Sequence, residues 1–125
     1  MKQILSNLLL LAILITTVCF KPFHDTHIKV ISPTLNSKYS KGQTVDIDFR
    51  VTYEQAIKSV EYSITDQTGK SMLSQNISGD NRKIIEVKKQ WPVGIATPAI
   101  LKLIIKTTDF SGHSNTKKIQ FSVNL

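Results

Sequence analysis

"TVDIDFRVTY", residues 44–53, alternates without a break: Val45, Ile47, Phe49, Val51 and Tyr53 fall on one side, Asp46, Asp48, Arg50 and Thr52 on the other. A period of two is what an extended chain with one buried face needs, because successive side chains of a strand point to opposite faces. A helix would scatter the same five apolar residues around its circumference. The stretch therefore reads as a half-buried antiparallel strand.

The same period recurs outward in both directions. Upstream, "IKVISP" is a short strand that stops at Pro33, which suits an edge because proline cannot donate to a ladder. "TLNSKYSKGQ" between the two is rich in turn formers. Downstream, "IKSVEYSITD" sets Val60, Tyr62 and Ile64 against Ser59, Glu61 and Ser63, and Gly69 in "DQTGK" suits a hairpin connection. "SMLSQNIS" is a weaker strand, and "SGDN" turns the chain into "RKIIEVKKQW", with Ile85, Val87 and Trp91 in register. After the crossing loop "PVGIATP", "AILKLIIKTTD" places Leu101, Leu103 and Ile105 inward and Lys102 and Lys106 outward. "DFSGHSN" then turns into "TKKIQFSVNL", with Ile119, Phe121 and Val123 on one face.

No segment carries a helical stripe. About seven strands with turn signals at regular intervals predict an all-β fold, two antiparallel sheets packed face to face; a small closed barrel is the alternative. At 125 residues there is room for one domain.

The N-terminus has a separate reading. Lys2 is followed by no charge until Lys21, and Leu8 to Ile15 is unbroken aliphatic, the pattern of a signal peptide. An uncleaved membrane anchor is the competing reading, disfavoured because Thr16 and Thr17 interrupt the apolar run. The only cysteine, Cys19, ends this segment, so the folded domain has no disulfide and stands on its core. A lone cysteine there resembles the bacterial lipoprotein signal, which implies that Cys19 is acylated and becomes the first mature residue. Thr16 and Val18 stand where that signal favours Leu and a small residue, and cleavage after Cys19 also fits the small-residue rule. The expected organisation is a signal peptide over residues 1–19, a tether over 20–27 and the sandwich over 28–125.

The closing third, "AILKLIIKTTDFSGHSNTKKIQFSV", resembles the last strands of bacterial immunoglobulin-like and fibronectin-type-III-like modules, with Thr108-Asp109, then a turn with Gly112, then a returning strand. The opening, "IKVISPTLNSKYSKGQTVDIDFRV", is similar to theirs as well. The resemblance implies an immunoglobulin-like β-sandwich and an exported, membrane-anchored location. It brings no catalytic residues with it. The antibody-type cysteine pair is absent, and Trp91 precedes Pro92 instead of lying in the third strand.

The net charge is +7, and the lysines form no run. They read as solvated outward positions of strands, and basic residues interleaved with aromatics, as nucleic-acid modules need, do not occur. His24 and His27, three apart in the expected tether, and His113 in the last turn do not make the three or four converging ligands a metal site needs, and no cofactor is expected. Asp109 is the weak calcium candidate, with Asp25, Asp66 and Asp80 scattered over other turns; its competing role is to accept N–H bonds within its own turn. No nucleophile motif occurs, so an enzyme is not expected. What remains is non-covalent binding of a protein or glycan partner, or a structural and adhesive role at a bacterial envelope. The contact candidates are Trp91, Tyr39, Met72 and Ile95, the last two expected to be exposed at one end of the sandwich. A carbohydrate-binding module built on Trp91 is the runner-up, and an enzyme or enzyme inhibitor the reading from another class.

Overall fold

The computed structural model describes residues 26–95 and 97–124. The expected signal peptide, its Cys19 and residues 20–25 of the expected tether lie outside the described residues. Eight strands follow in order: β1 (His27–Ser32), β2 (Lys38–Ser40), β3 (Thr44–Thr52), β4 (Ile57–Thr65), β5 (Ser71–Ser78), β6 (Ile84–Pro92), β7 (Ala99–Asp109) and β8 (Ser114–Asn124). They form a three-stranded sheet, β1-β3-β6, and a five-stranded sheet, β2-β8-β7-β4-β5. All neighbours run antiparallel except β2 and β8, which are parallel. This is the immunoglobulin-like order, the chain passing between the two sheets at the β1–β2, β2–β3, β3–β4, β5–β6 and β6–β7 connections.

The alternating faces close on one another. Val45, Ile47, Phe49 and Val51 of β3 and Ile85 and Val87 of β6 are buried against Val60, Tyr62, Ile64, Leu101, Leu103, Ile105, Phe121 and Val123 of the other sheet. The Phe49 and Tyr62 rings meet edge to face across the gap, 5.4 Å between centroids. Ile57 and Val93, each at the end of an alternating stretch, are buried too.

The strand that sequence reading passes over is β2. Three residues are too few to display a period, and it lies inside the segment expected to be all turn. It adds to the sheet edge by pairing Tyr39 with Val123, which seats the Tyr39 ring edge-on against Phe121 at 5.7 Å. The domain also starts earlier than its expected boundary. His27 is the first residue of β1, and Thr26 is buried, its hydroxyl hydrogen-bonded to that of Thr107 and its carbonyl accepting from Asn115 Nδ2 at 2.7 Å.

Two hairpins use the same turn at opposite ends of the sandwich. In "DQTGK" and "DFSGH" the aspartate N–H donates to the carbonyl four residues on, 3.0 Å in both, and the glycine N–H donates back to the aspartate carbonyl. Gly69 and Gly112 supply φ of 86° and 87°, a left-handed conformation that costs other residues strain. A third glycine, Gly79, is needed for a different reason. It is buried at the β5–β6 connection, where a Cβ would lie 1.6 Å from the Ile57 carbonyl oxygen.

Candidate binding face

Strand register decides which side chains share an outer face. On the three-stranded sheet the outward rows are His27–Thr52–Ile84, Lys29–Arg50–Glu86, Asp48–Lys88 and Asp46–Gln90. Lys29, Arg50 and Lys88 are thereby balanced by Asp46, Asp48 and Glu86, and Arg50 Nε lies 3.6 Å from Glu86 Oε1.

The five-stranded sheet is different. Its outward rows are Lys38–Ser122–Ile100, Gln120–Lys102–Thr65–Ser71, Lys118–Ile104–Ser63–Ser74, Thr116–Lys106–Glu61–Asn76 and Ser114–Thr108–Ser59–Ser78. Small hydroxyl and amide side chains cover most of this face, so it is flat, and Lys38 joins it at the β2 edge. Lys102, Lys106 and Lys118 stand exposed on it with Glu61 as the acid in their rows. Among the described residues no ion pair joins any of the three to a carboxylate. Lys118 is the diagonal cross-strand neighbour of both Lys102 and Lys106, a separation of about 7–8 Å. At that range two like charges repel by about 0.5 kcal/mol in water, an energy that an anion lying between them reverses in sign. Shallow depressions flank Ile104: one is lined by Lys102, Lys118, Gln120, Thr65 and Ile100, with Asp66 at its margin, the other by Lys106, Glu61, Ser63 and Asn76.

The residues expected to make contacts lie elsewhere. Trp91 is half-buried on β6 opposite Val45, and Tyr39 is half-buried on β2; both pack on the core. Met72 and Ile95, expected to be exposed, are half-buried and packed on the core as well. Their strands or loops lie at the same pole of the sandwich, but the side chains pack on the core: Trp91 and Tyr39 continue core-facing sides of their sheets, Met72 sits at the β5 bulge and Ile95 in the loop after β6.

Asp109 is buried at the opposite pole. Its Oδ1 accepts from the N–H groups of Ser111 at 2.9 Å and His113 at 2.8 Å, and its Oδ2 accepts from the Tyr53 hydroxyl at 3.0 Å. Burial pushes its carboxyl up; the N–H of His113, the Tyr53 hydroxyl and the N–H of Ser111 together outweigh this and hold it below the usual carboxylate range. Both oxygens thus serve the turn. Among the described residues no group of three or more His, Cys, Asp or Glu side chains comes together to hold a metal ion. His113 Nδ1 lies 3.3 Å from Asp109 Oδ2, but its ring is exposed and no hydroxyl among the described residues is hydrogen-bonded to it, as a nucleophile's would be. At the other pole Asp66 makes the equivalent turn: the Thr68 hydroxyl, aided by the N–H groups of Lys70 and Thr68, holds its carboxyl low.

Lys102 and Lys106, four apart on the outward face of one strand, are legible as a pair in the sequence. Lys118 joins them only through the β7–β8 register, which fixes Lys118 opposite Ile104.

No protein-family model and no curated protein matches the chain. Among solved structures, CopC from Methylosinus trichosporium OB3b is similar with a TM-score of 0.46 and 16% identity, over 78% of this chain and 94% of that one. A likeness of that size carries no argument about what this chain binds; its strand order and register make it an immunoglobulin-like β-sandwich.

Proposed function

We propose that this chain is an exported, membrane-anchored immunoglobulin-like module of a bacterial envelope that binds an acidic polysaccharide on the outer face of its five-stranded sheet. One observation carries the reading: excess positive charge is concentrated on the flat, hydroxyl-rich face, while the other sheet's outer face is charge-balanced. Serine, threonine, asparagine and glutamine side chains match sugar hydroxyls as donors and acceptors. Lys102, Lys106 and Lys118 match carboxylate or sulfate groups spaced along a polymer, and charge complementarity of this kind governs encounter and selectivity. Export and anchoring rest on the apolar segment 1–19 and Cys19.

The test is a titration of the full chain, held in non-ionic detergent, with heparin as a sulfated polysaccharide and dextran as its neutral counterpart. Heparin binding that weakens steeply with salt, and no dextran binding, is expected. Lys102→Gln/Lys106→Gln/Lys118→Gln removes three exposed ion pairs worth about 0.5–1 kcal/mol each, hence about a tenfold or greater loss of affinity. Lys29→Gln/Lys83→Gln/Lys88→Gln removes the same charge elsewhere and is expected to change affinity far less. Equal losses from the two triples would reduce the effect to net charge. Loss of binding with Trp91→Ala in a folded chain would instead place the contact at the Trp91 pole.

A further inference from the structure

A sandwich of two open sheets has four edges, here β1 and β6 of one sheet and β2 and β5 of the other. Unpaired edges are templates for pairing with another chain, and sheets guard them with charge, proline, bulges or brevity. Three of these edges are guarded. β1 carries Lys29, is bulged between Val30 and Ser32 and is followed by Pro33. β2 is three residues long and contains Lys38. β6 carries Glu86, Lys88 and Lys89 and ends at Pro92. β5, "SMLSQNIS", has eight residues, no charge and no proline; its pairing with β4 is regular from Ser59–Ser78 to Ile64–Leu73, and its one bulge, at Met72, is confined to the start of the strand.

We propose that β5 pairs antiparallel with β5 of a second copy of this chain, about a two-fold axis through Gln75, joining two five-stranded sheets into one. Leu73, Gln75 and Ile77 lie on the core side of the sheet, opposite Ile64, Tyr62 and Val60, whereas Ser74 and Asn76 face outward. Directly opposed residues in an antiparallel pair share a face. An axis through Gln75 therefore sets Leu73 against the partner's Ile77 and Ser74 against the partner's Asn76, each pair occurring twice. Leu73 and Ile77 are both half-buried and packed on their own core, so the pairing extends an apolar strip that already exists.

The same axis decides the charges. Counted in residues from that axis, Lys70, just before β5 and beyond the Met72 bulge, falls opposite the partner's Asp80, in the turn just after it, once at each end. An axis through Ser74 would instead face Leu73 with the partner's Gln75, and one through Asn76 would face it with the partner's Gly79; both lose the Lys70–Asp80 match. For a chain of net charge +7, copies repel, and an uncharged edge flanked by a reciprocal opposite-charge pair is where that repulsion is least. The pairing is independent of what the outer face binds.

Cross-linking of the full chain tests it. Opposed residues of an antiparallel pair have Cα atoms about 4.5–5.5 Å apart, within the span a disulfide bridges. Gln75→Cys, mildly oxidised with diamide, is expected to give a covalent dimer on a non-reducing gel well above the level that Cys19 alone produces in the unaltered chain. Ser114→Cys, equally exposed but on another strand, is expected to stay at that level. Adding Lys70→Glu to Gln75→Cys sets like charges level with each other and is expected to lower the yield severalfold. A Gln75→Cys yield no higher than that of Ser114→Cys overturns the proposal. So does a Gln75→Cys adduct whose mass is not twice that of the chain, which would mean that the edge takes another polypeptide.

Discussion

Gly79→Ala probes the tightest point of the fold. The Gly79 N–H donates to the Lys58 carbonyl at 2.8 Å, and its own carbonyl accepts from the Arg82 N–H at 2.9 Å and Arg82 Nε at 3.1 Å. These bonds tie the β5–β6 turn to the start of β4, where Ile57 is fully buried. A Cβ on residue 79 would sit 1.6 Å from the Ile57 carbonyl oxygen and 2.5 Å from its carbon. Both are backbone atoms, so no side chain can swing aside. Relief needs a shift of more than an ångström, which breaks or stretches two or three hydrogen bonds worth about 1 kcal/mol each. Displacing the buried Ile57 adds about 1–3 kcal/mol, the usual cost of overpacking.

The expected loss is therefore about 3–6 kcal/mol, which at about 4–8 °C per kcal/mol for a domain of this size lowers Tm by more than about 12 °C. Thermal unfolding followed by far-UV circular dichroism measures it. Gly94→Ala is the internal comparison: nothing lies within 4 Å of its added Cβ and its φ is not positive, so its Tm should hold or rise slightly. If the two variants unfold at the same temperature, the close approach at Ile57 does not constrain the chain.

Three further outcomes follow from the polar pole and from Trp91. Tyr53→Phe leaves Asp109 Oδ2 without its hydroxyl donor and should cost about 1.5–3 kcal/mol, the range for a bond to a charged group, read from urea midpoints. Asp109 has a carboxyl held lower in the folded than in the unfolded chain, so its stabilisation is present above the unfolded value near 4 and is lost as pH falls through the folded one. Acid unfolding should therefore lose part of its pH dependence in Asp109→Asn, and an unchanged profile would contradict the turn's hydrogen bonding. Trp91→Ala should lower stability by about 1.5–3 kcal/mol, less than for a fully buried ring, while leaving heparin affinity intact; the reverse result would make Trp91 a contact residue.

The strands were legible wherever the alternation ran long. Residues 44–53 and 99–109 show why: one face fully buried and one solvated leave a period-two signature that a single sequence displays. The Asp-x-x-Gly turns were legible for a local reason, since the aspartate and glycine act within five residues. β2 was not, because Tyr39 is held by Phe121 and Val123 from the far end of the chain. Nor was Gly79, whose neighbour Ile57 is remote in sequence and whose φ is ordinary. Trp91, Tyr39, Met72 and Ile95 are aromatic or apolar residues near turns, and each packs on the core through partners remote in sequence. The basic face shows the limit most clearly. Outward lysines can be read strand by strand, but whether they meet acids or one another is set by register.

The most direct measurement maps the ligand onto the two outer faces. Amide chemical shifts of the full chain in detergent micelles, followed during heparin titration, should move at Ser63, Lys102, Ile104, Lys106, Lys118 and Gln120 and stay fixed at Lys29, Asp46, Asp48 and Lys88. Shifts confined to the three-stranded sheet, or to the pole around Trp91 and Ile95, would contradict a binding role for the hydroxyl-rich basic face.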